Sequence, residues 1–160
     1  MKFNVRNNYL LAGCVLVLAV LCFLSVYRPL RFEKERAMRE MVVKQYLVKI
    51  RVAEEAYKIA HATYTGSLDT LVKVGLLADS LKYIPFSDSK PFALAVSSAI
   101  GKSGRHVPLM ECSAGYEEYL QGLDANSIAE LIEKAVASGQ FPGLKIGDVA
   151  AFNGNVGNWE

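Results

Sequence analysis

The chain is poor in the residues that build disulfide frameworks and metal sites. It has three cysteines and two histidines among 160 residues. Cys14 and Cys22 lie in one apolar run, which leaves Cys112 as the only cysteine elsewhere. A lone cysteine cannot cross-link its own domain, and it does not reveal the redox compartment. Because His61 has no second histidine close to it in the sequence, we expect no metal site and no cofactor.

An excess of positive charge is also missing from most of the chain. The residues after Tyr27 contain 16 basic and 16 acidic side chains, and Lys2 and Arg6 alone supply the small basic excess of the whole. A surface that binds nucleic acid needs a sizeable basic patch. Nucleic acid is therefore not expected as a partner.

One long segment carries no charge at all, and it is the most informative feature of the sequence. Residues 9–27 read YLLAGCVLVLAVLCFLSVY. A hydrocarbon core of about 30 Å needs roughly 20 apolar residues in a helix, and Tyr9 and Tyr27 stand where interfacial aromatic residues are found. We therefore predict a short tail over residues 1–8 and a single transmembrane helix over residues 9–27, with membrane lipid as a partner.

Two processed forms compete with a retained anchor. Lys2 and Arg6 resemble the basic start of a signal peptide, but the run lacks small residues at its end and exceeds the usual apolar region of about 7 to 15 residues. The segment Leu11-Ala12-Gly13-Cys14 matches a lipoprotein processing box that would leave Cys14 lipidated. Only a few apolar residues precede Cys14 and the run continues past it, so a retained helix fits the sequence better.

The residues flanking the run bear on its orientation. Basic residues near a span mark the cytoplasmic side, and most of them follow the run here: Arg28, Arg31, Lys34, Arg36, Arg39 and Lys44. Taken alone, this count places the folded domain inside the cell. Glu33, Glu35 and Glu40 alternate with these residues at spacings that suit i,i+4 ion pairs on a helix surface. The acidic residues weaken the inference without reversing it, because they count little in the orientation rule.

The 133 residues after Tyr27 suffice for one folded domain. We place a charged juxtamembrane helix at residues 28–42, which Pro29 starts or kinks, and a folded α+β domain at residues 43–160. An apolar stripe then recurs at steps of three and four residues, as in an amphipathic helix: Val43, Tyr46, Ile50, Ala53, Tyr57 and Ala60. Such a stripe either packs on the domain's own sheet, which we favour, or forms a coiled-coil seam with another chain.

The rest of the domain reads as short helices and a small antiparallel sheet. Ser67 caps a short helix at residues 68–77 that glycine closes. Alternation from Phe92 to Ile100 predicts a strand, and a turn at residues 101–104 leads to a return strand that Pro108 places at an edge or bulge. Ser127 and Glu130 resemble a capping box for a third helix that Gly139 ends. Its apolar face would hold Ile128, Leu131, Ile132, Ala135 and Val136. The tail offers at most a short strand followed by turns.

This order of elements resembles that of type IV pilins and the pseudopilins of type II secretion. Residues 51–77, RVAEEAYKIAHATYTGSLDTLVKVGLL, carry the likeness as a helix, an aromatic pair and a leucine- and glycine-rich turn. The family's Gly-Phe or Gly-Met cleavage junction is absent, since Gly13 precedes Cys14, and no acidic residue precedes Glu33. The chain also resembles an uncharacterised family of short bacterial single-pass membrane proteins. The resemblance implies a bacterial inner-membrane protein with an extracytoplasmic domain.

Catalytic interpretations do not fit the residues. Gly101-Lys102-Ser103 lacks the preceding glycine of a phosphate-binding loop, because Val96 stands at that position. His106 and Cys112 are about 20 Å apart in an extended strand, so we expect an exposed histidine and a buried thiol. Glu117 and Glu118 point to different sides of a helix. We therefore expect no enzyme.

The sequence as a whole favours a pilin-like or pseudopilin-like structural subunit of a bacterial envelope assembly, with protein partners. The alternative is a membrane-tethered module that binds a peptide or glycan through aromatic residues, for which the candidates are Tyr116, Tyr119, Phe141, Phe152 and Trp159. An assembly subunit would leave apolar area uncovered along the helix from Met38 to Tyr57, whereas a binding module would show an aromatic cleft. The possible partner contacts are Met38, Val42, Tyr46, Tyr57 and Trp159. Trp159 either docks on its own domain, which we favour, or contacts a partner.

The anchor gives the first testable prediction. The chain should remain in the membrane fraction through high-salt and carbonate washes, because a helix buried in hydrocarbon is not released by changes in surface charge. Its N-terminus should be unprocessed when measured by mass spectrometry. A mature chain that starts at a lipidated Cys14 would contradict this prediction.

Overall fold

The first element is a long helix, α1, which extends over Val5–His61. The computed structural model describes residues 5–100 and 104–160. The chain divides into two units, Met1–Arg36 and Ala37–Glu160, and α1 contributes residues to both. Pro29 lies inside the helix.

The apolar run of the first unit is helical, and the side chains from Leu11 to Phe23 are exposed. Over the described residues, no helix combines the length and the apolar character that crossing a bilayer requires. The transmembrane helix expected at residues 9–27 is thus not among the features that the structure shows, and the anchor stays a prediction from the sequence.

In the second unit, α1 buries one face, which is close to the face predicted from the apolar spacing. Val43, Ile50 and Ala53 are buried as expected. Leu47, which was not predicted, has no accessible surface, whereas Tyr46 and Tyr57 are half-buried and Ala60 is exposed. The true buried stripe therefore follows positions 43, 47 and 50, and it is rotated slightly from the predicted one.

A short helix, α2, follows the break after His61. It spans Leu68–Lys73, and the Ser67 side chain accepts a hydrogen bond from the Thr70 amide, which confirms the predicted cap. Leu68 and Leu71 are its buried residues. A 3-10 helix at Asp79–Lys82 then leads into the sheet.

The sheet has three antiparallel strands in the order β1-β2-β3, which confirms an α+β fold with a small antiparallel sheet. β1 is Ala93–Ile100, β2 is His106–Gly115 and β3 is Gly143–Gly147. β2 pairs with β1 along its length but with β3 only from Glu111 onward. Pro108 therefore lies in the part of β2 that has β1 as its only neighbour, as expected for a proline at an edge.

The core contains the buried stripe of α1 and one face of the sheet, and the two are close enough for the charge of Glu54 in α1 to act on the Cys112 thiol in β2. Cys112 stands opposite Leu94 in β1 and Ile146 in β3, so these residues share a face. Cys112, Ile146 and the neighbouring Met110 have no accessible surface. These side chains form part of the core of the second unit.

Two helices separate β2 from β3. α3 is a single turn, Tyr116–Tyr119, and the Glu118 carboxylate accepts a hydrogen bond from the Gly115 amide at 2.7 Å. α4 spans Ala125–Ala137, with Ser138 as its C-cap and Gly139, which has positive φ, directly after the cap. Its predicted apolar face is only partly used, since Ala135 is buried while Val136 is exposed.

The N-terminus of α4 differs from the predicted capping box. Asp124, not Ser127, is the cap, and its carboxylate accepts hydrogen bonds from both the Ser127 amide and the Ser127 hydroxyl at 2.8 Å. The prediction failed because two capping residue types stand three positions apart, and the ionised carboxylate is the stronger acceptor at a helix start.

The C-terminal residues fold back along the outer edge of β3. The Gly147 amide donates to the Val156 carbonyl, and the Asn158 amide donates to the Lys145 carbonyl. Gly147 has φ of +72°, and a Cβ there would collide with the Met110 carbonyl oxygen. The segment from Val156 to Asn158 thus covers the outer edge of β3.

The same segment contacts α1. Arg51 donates to the Asn155 carbonyl at 3.0 Å and forms an ion pair with Glu160 at 3.1 Å. Asn155 is buried and donates to the Tyr64 hydroxyl at 2.6 Å. Trp159 is half-buried beside Gly157, where a Cβ would lie 2.7 Å from the indole ring. The expected docking of Trp159 on its own domain is therefore observed.

Replacing Trp159 should destabilise the domain. Trp159→Ala removes a half-buried indole, which we expect to cost about 1 kcal/mol and to lower Tm by about 3–5 °C. Phe152→Ala, at an exposed aromatic side chain of the same segment, serves as the control and should leave Tm nearly unchanged. Circular dichroism of the full chain measures both. Equal Tm values for Trp159→Ala and the unmodified chain, with readily quenched tryptophan fluorescence, would show that the ring does not pack on the domain.

Candidate functional site

The outward side of α1 carries a second, mainly apolar row, which we call the outer stripe. Its members recur at alternating steps of three and four residues: Met38, Met41, Gln45, Val48, Val52, Glu55 and Ile59. Five of these seven residues are apolar, and the exposed Gln45 and Glu55 interrupt them. Val52 is 61% exposed and Ile59 is 88% exposed, and Met38 and Met41 are also exposed. Residues at this spacing lie on one side of a helix.

The outer stripe lies opposite the buried stripe. Positions 43, 47 and 50 point into the domain, and at 3.6 residues per turn positions 41, 45, 48 and 52 fall about half a turn away. The domain therefore cannot cover both rows at once. Part of the outer stripe lines a shallow depression of about 430 Å³ formed by Met41, Lys44, Gln45, Val48 and Lys49.

Basic side chains flank the outer stripe. Lys44 lies on one side of it, at 3.8 Å from Glu40 and with its ammonium 5.7 Å from the centre of the Trp159 ring. Lys49 lies on the other side and is exposed, with no ion pair among the described residues. Arg51 is already held by Glu160. Lysines thus border the outer stripe where it lines the depression, beside Met41 and Val48.

The structure places the predicted partner contacts at different depths. Met38 belongs to the outer stripe, whereas Val42 and Tyr46 are half-buried at its border. Tyr57 is half-buried, with its ring 4.2 Å from the ring of His61. Trp159 lies beside Gly157, with the centre of its ring 5.7 Å from the Lys44 ammonium at the border of the outer stripe. Of the five predicted contacts, Met38 is thus the one that belongs to the outer stripe itself.

Most of the outer stripe was not predicted from the sequence, although its apolar spacing was visible there. Met41, Val48, Val52 and Ile59 have the same three-and-four spacing as the buried row. A helix with two apolar rows cannot bury both on a single small domain, so the second row could have been recognised as a candidate surface.

The aromatic residues of the alternative interpretation do not form a cleft. Tyr119 has no accessible surface, so it cannot contact a ligand. Phe152 is exposed, and Tyr116 and Phe141 are half-buried. A depression of about 300 Å³ between α2 and β1 contains none of these residues; it is lined by Gly66, Leu68, Asp69, Lys82, Tyr83, Pro91, Phe92 and Leu94.

A buried carboxyl group lies on the opposite side of α1 from the outer stripe. Glu54 has no accessible surface, and its Oε2 accepts a hydrogen bond from the Thr65 amide at 2.9 Å. Its Oε1 has no hydrogen-bond partner among the described residues. Burial raises the pKa of Glu54 to about 7, although the Thr65 amide opposes this shift. Glu54 is not a member of the apolar stripe predicted from the sequence, so its burial was not expected.

Cys112 is not poised for nucleophilic chemistry. Burial, with a smaller contribution from the negative charge of Glu54, raises the pKa of the Cys112 thiol well above its ordinary value. His106 is exposed at the other end of β2. The expected exposed histidine and buried thiol are therefore confirmed.

The described residues contain no group of three or more His, Cys, Asp or Glu side chains that could hold a metal ion. Residues 101–103, at which a hairpin turn was expected instead of a phosphate-binding loop, lie outside the described residues. Comparisons with protein-family models, with curated proteins and with solved structures found no match. The inference of function therefore rests on the geometry of the chain itself.

The raised pKa of Glu54 predicts that the domain loses stability as pH rises. In the folded chain Glu54 holds its proton up to about pH 7, whereas the unfolded carboxyl releases it near pH 4.5. Between these values the folded state binds more protons, so the free energy of unfolding should fall by up to about 3 kcal/mol as pH increases. Glu54→Gln, which keeps an acceptor for the Thr65 amide, should remove this loss and stabilise the domain most above pH 7.

Chemical denaturation of the full chain at pH 5 and pH 8 measures the effect. Glu130→Gln removes an exposed carboxylate on α4 and serves as the control. If Glu54→Gln and Glu130→Gln give the same dependence of stability on pH, then ionisation of Glu54 does not destabilise the folded state.

Proposed function

We propose that this protein is a membrane-anchored, non-enzymatic interaction subunit of a bacterial envelope assembly, pilin-like in layout, and that the outer stripe of α1 is its docking surface. The observation that carries the proposal is the uncovered apolar row along α1. An assembly subunit is expected to leave apolar area along this helix, and a ligand-binding module is expected to show an aromatic cleft.

The exposure of the outer stripe supports a role in binding. Single exposed apolar residues are common on protein surfaces, but a group of neighbouring apolar side chains bordered by charged residues is typical of an interaction site. In the outer stripe this group is Met38, Met41, Val48 and Val52, with Gln45 between them and Val48 half-buried. Met41 and Val48 line one continuous depression, and Val52 follows at the next step of the row. The free energy available from covering such side chains is about 25 cal/mol per Å² of apolar area removed from water.

The spacing and the flanking charges indicate the partner's chemistry. Alternating steps of three and four residues suit the packing of one helix against another. Lys44 and Lys49 border the row on its two sides, and a second copy of α1 would bring like charges together. The partner that fits is therefore an amphipathic helix whose apolar row is flanked by acidic residues.

The membrane anchor and the placement of the domain rest on the sequence. The uncharged segment of residues 9–27 precedes the amphipathic part of α1 in the order expected of a pseudopilin-like subunit. That layout supports an inner-membrane anchor with an extracytoplasmic domain.

Photo-crosslinking in native membranes tests this proposal. A photoreactive amino acid in place of Val52 should give a defined adduct, whereas the same residue in place of Val136 on α4 should not. Val52 and Val136 are matched in residue type and are 61% and 62% exposed. Reversing the flanking charges with Lys44→Glu and Lys49→Glu should reduce the Val52 adduct by about tenfold, because complementary charges select the partner.

The adduct's composition decides among the possible outcomes. An adduct with a protein that contains an acidic amphipathic helix supports the proposal. Equal adducts at Val52 and Val136, an adduct unaffected by charge reversal, or an adduct made of two copies of this chain would overturn it.

A further inference from the structure

β1 presents an unprotected edge of the sheet. Its residues, ALAVSSAI, include no charged residue and no proline. Ile100 is 72% exposed, and Val96 is also exposed. No described backbone hydrogen bond other than those to β2 involves residues 93–100. Open edges of this kind pair with other strands, and natural proteins normally guard them with charge, proline or a covering segment.

The opposite edge of the same sheet, formed by β3 and by the part of β2 that β3 does not cover, is guarded. The C-terminal residues cover β3 through the bonds from Gly147 to Val156 and from Asn158 to Lys145. The free part of β2, from His106 to Met110, carries Pro108, which has no amide hydrogen to offer a new strand. The Lys82 carbonyl covers the edge at Phe92, just before β1. From Leu94 onward, β1 is thus the edge of the described sheet that is left open.

The position of Pro108 shows which backbone groups of β1 point outward. Pro108 stands opposite Ser98, and a proline cannot belong to a pair that exchanges two hydrogen bonds. The Ser98 amide and carbonyl therefore face away from β2, and so do those of every second residue: Leu94, Val96, Ser98 and Ile100. The Phe92 amide fits this alternation, because it donates outward to the Lys82 carbonyl at 3.0 Å.

We infer that the β1 edge binds the β1 edge of a second copy of this chain in antiparallel orientation, symmetric about Ser97. In that register Val96 pairs with Ser98 of the second copy, and Leu94 pairs with Ile100. The outward-facing amides and carbonyls of all four residues then face those of the second copy, and each pair of residues exchanges two hydrogen bonds. The exposed Ile100 also gains an apolar cross-strand neighbour in Leu94.

Two features favour a second copy of β1 over other partners at this edge: the absence of charge on β1 and the closed dimer that the pairing gives. Because β1 has no charged residue, two copies meet without repulsion. Each copy has one open edge, so pairing of two β1 edges uses both and gives a closed two-fold dimer with a six-stranded sheet. The outer stripe of α1 takes no part in this contact, so the inference does not depend on the proposed function.

Disulfide trapping with the full chain tests this register. In a background of Cys14→Ser and Cys22→Ser, with the buried Cys112 retained, Ser97→Cys should form a disulfide-linked dimer under mild oxidation. Directly opposed residues that do not exchange hydrogen bonds have Cα atoms about 4.5 Å apart, within disulfide range. Ala95→Cys is the control, since its partner would be Ala99 of the second copy and its own counterpart would lie several residues away.

A proline variant separates pairing from chance collision. Ser98→Pro removes an outward amide hydrogen while leaving the bonds to β2 intact, as Pro108 does on the opposite strand. Added to Ser97→Cys, it should reduce the trapped dimer at least about tenfold, whereas Ser98→Ala should not. Circular dichroism verifies that each variant is folded. Equal trapping at Ser97→Cys and Ala95→Cys, no trapping at Ser97→Cys, or trapping unaffected by Ser98→Pro would each overturn the inference.

Discussion

Burial of one face of α1 in the core of the second unit is the constraint on which the other features depend. Val43, Leu47 and Ile50 have no accessible surface, and they fix the rotation of the helix about its axis. Because a helix turns a fixed angle per residue, this rotation also directs the outer stripe to solvent. The same packing brings Arg51 to the C-terminal residues. The covered edge at β3 and the uncovered face of α1 are thus two results of one contact.

Glu54 places a destabilising group inside that contact. An ionised carboxylate in an apolar interior is costly unless it is fully hydrogen-bonded, and only Oε2 of Glu54 has a described partner, the Thr65 amide. This bond holds the start of the loop that follows α1, where Tyr64 and Thr65 are buried. The chain therefore accepts a lower stability near neutral pH at the position where the long helix passes into the rest of the domain.

Local patterns were sufficient to predict part of the fold. The Ser67 cap, the β1–β2 hairpin and the glycine that ends α4 depend on neighbouring residues, and each was predicted. The buried stripe was misplaced because Tyr46 and Leu47 are both apolar, so spacing does not choose between them, and because a glutamate is rarely buried. The closure of β3 and the burial of Glu54 depend on contacts between distant segments, which no local pattern encodes. The outer stripe was visible in the sequence, but its exposure could be known only once the other face was seen to be buried.

The glycine at position 147 limits how the sequence can diverge. Any side chain there would collide with the Met110 carbonyl oxygen, and its positive φ also disfavours other residues. Gly157 must likewise leave room for the Trp159 ring, and Asn155 between them is buried with φ of 57°. Surface positions can drift freely while these three remain. A relative too distant for overall similarity could therefore be recognised by a glycine that ends β3 and by an asparagine and a glycine eight and ten residues further on.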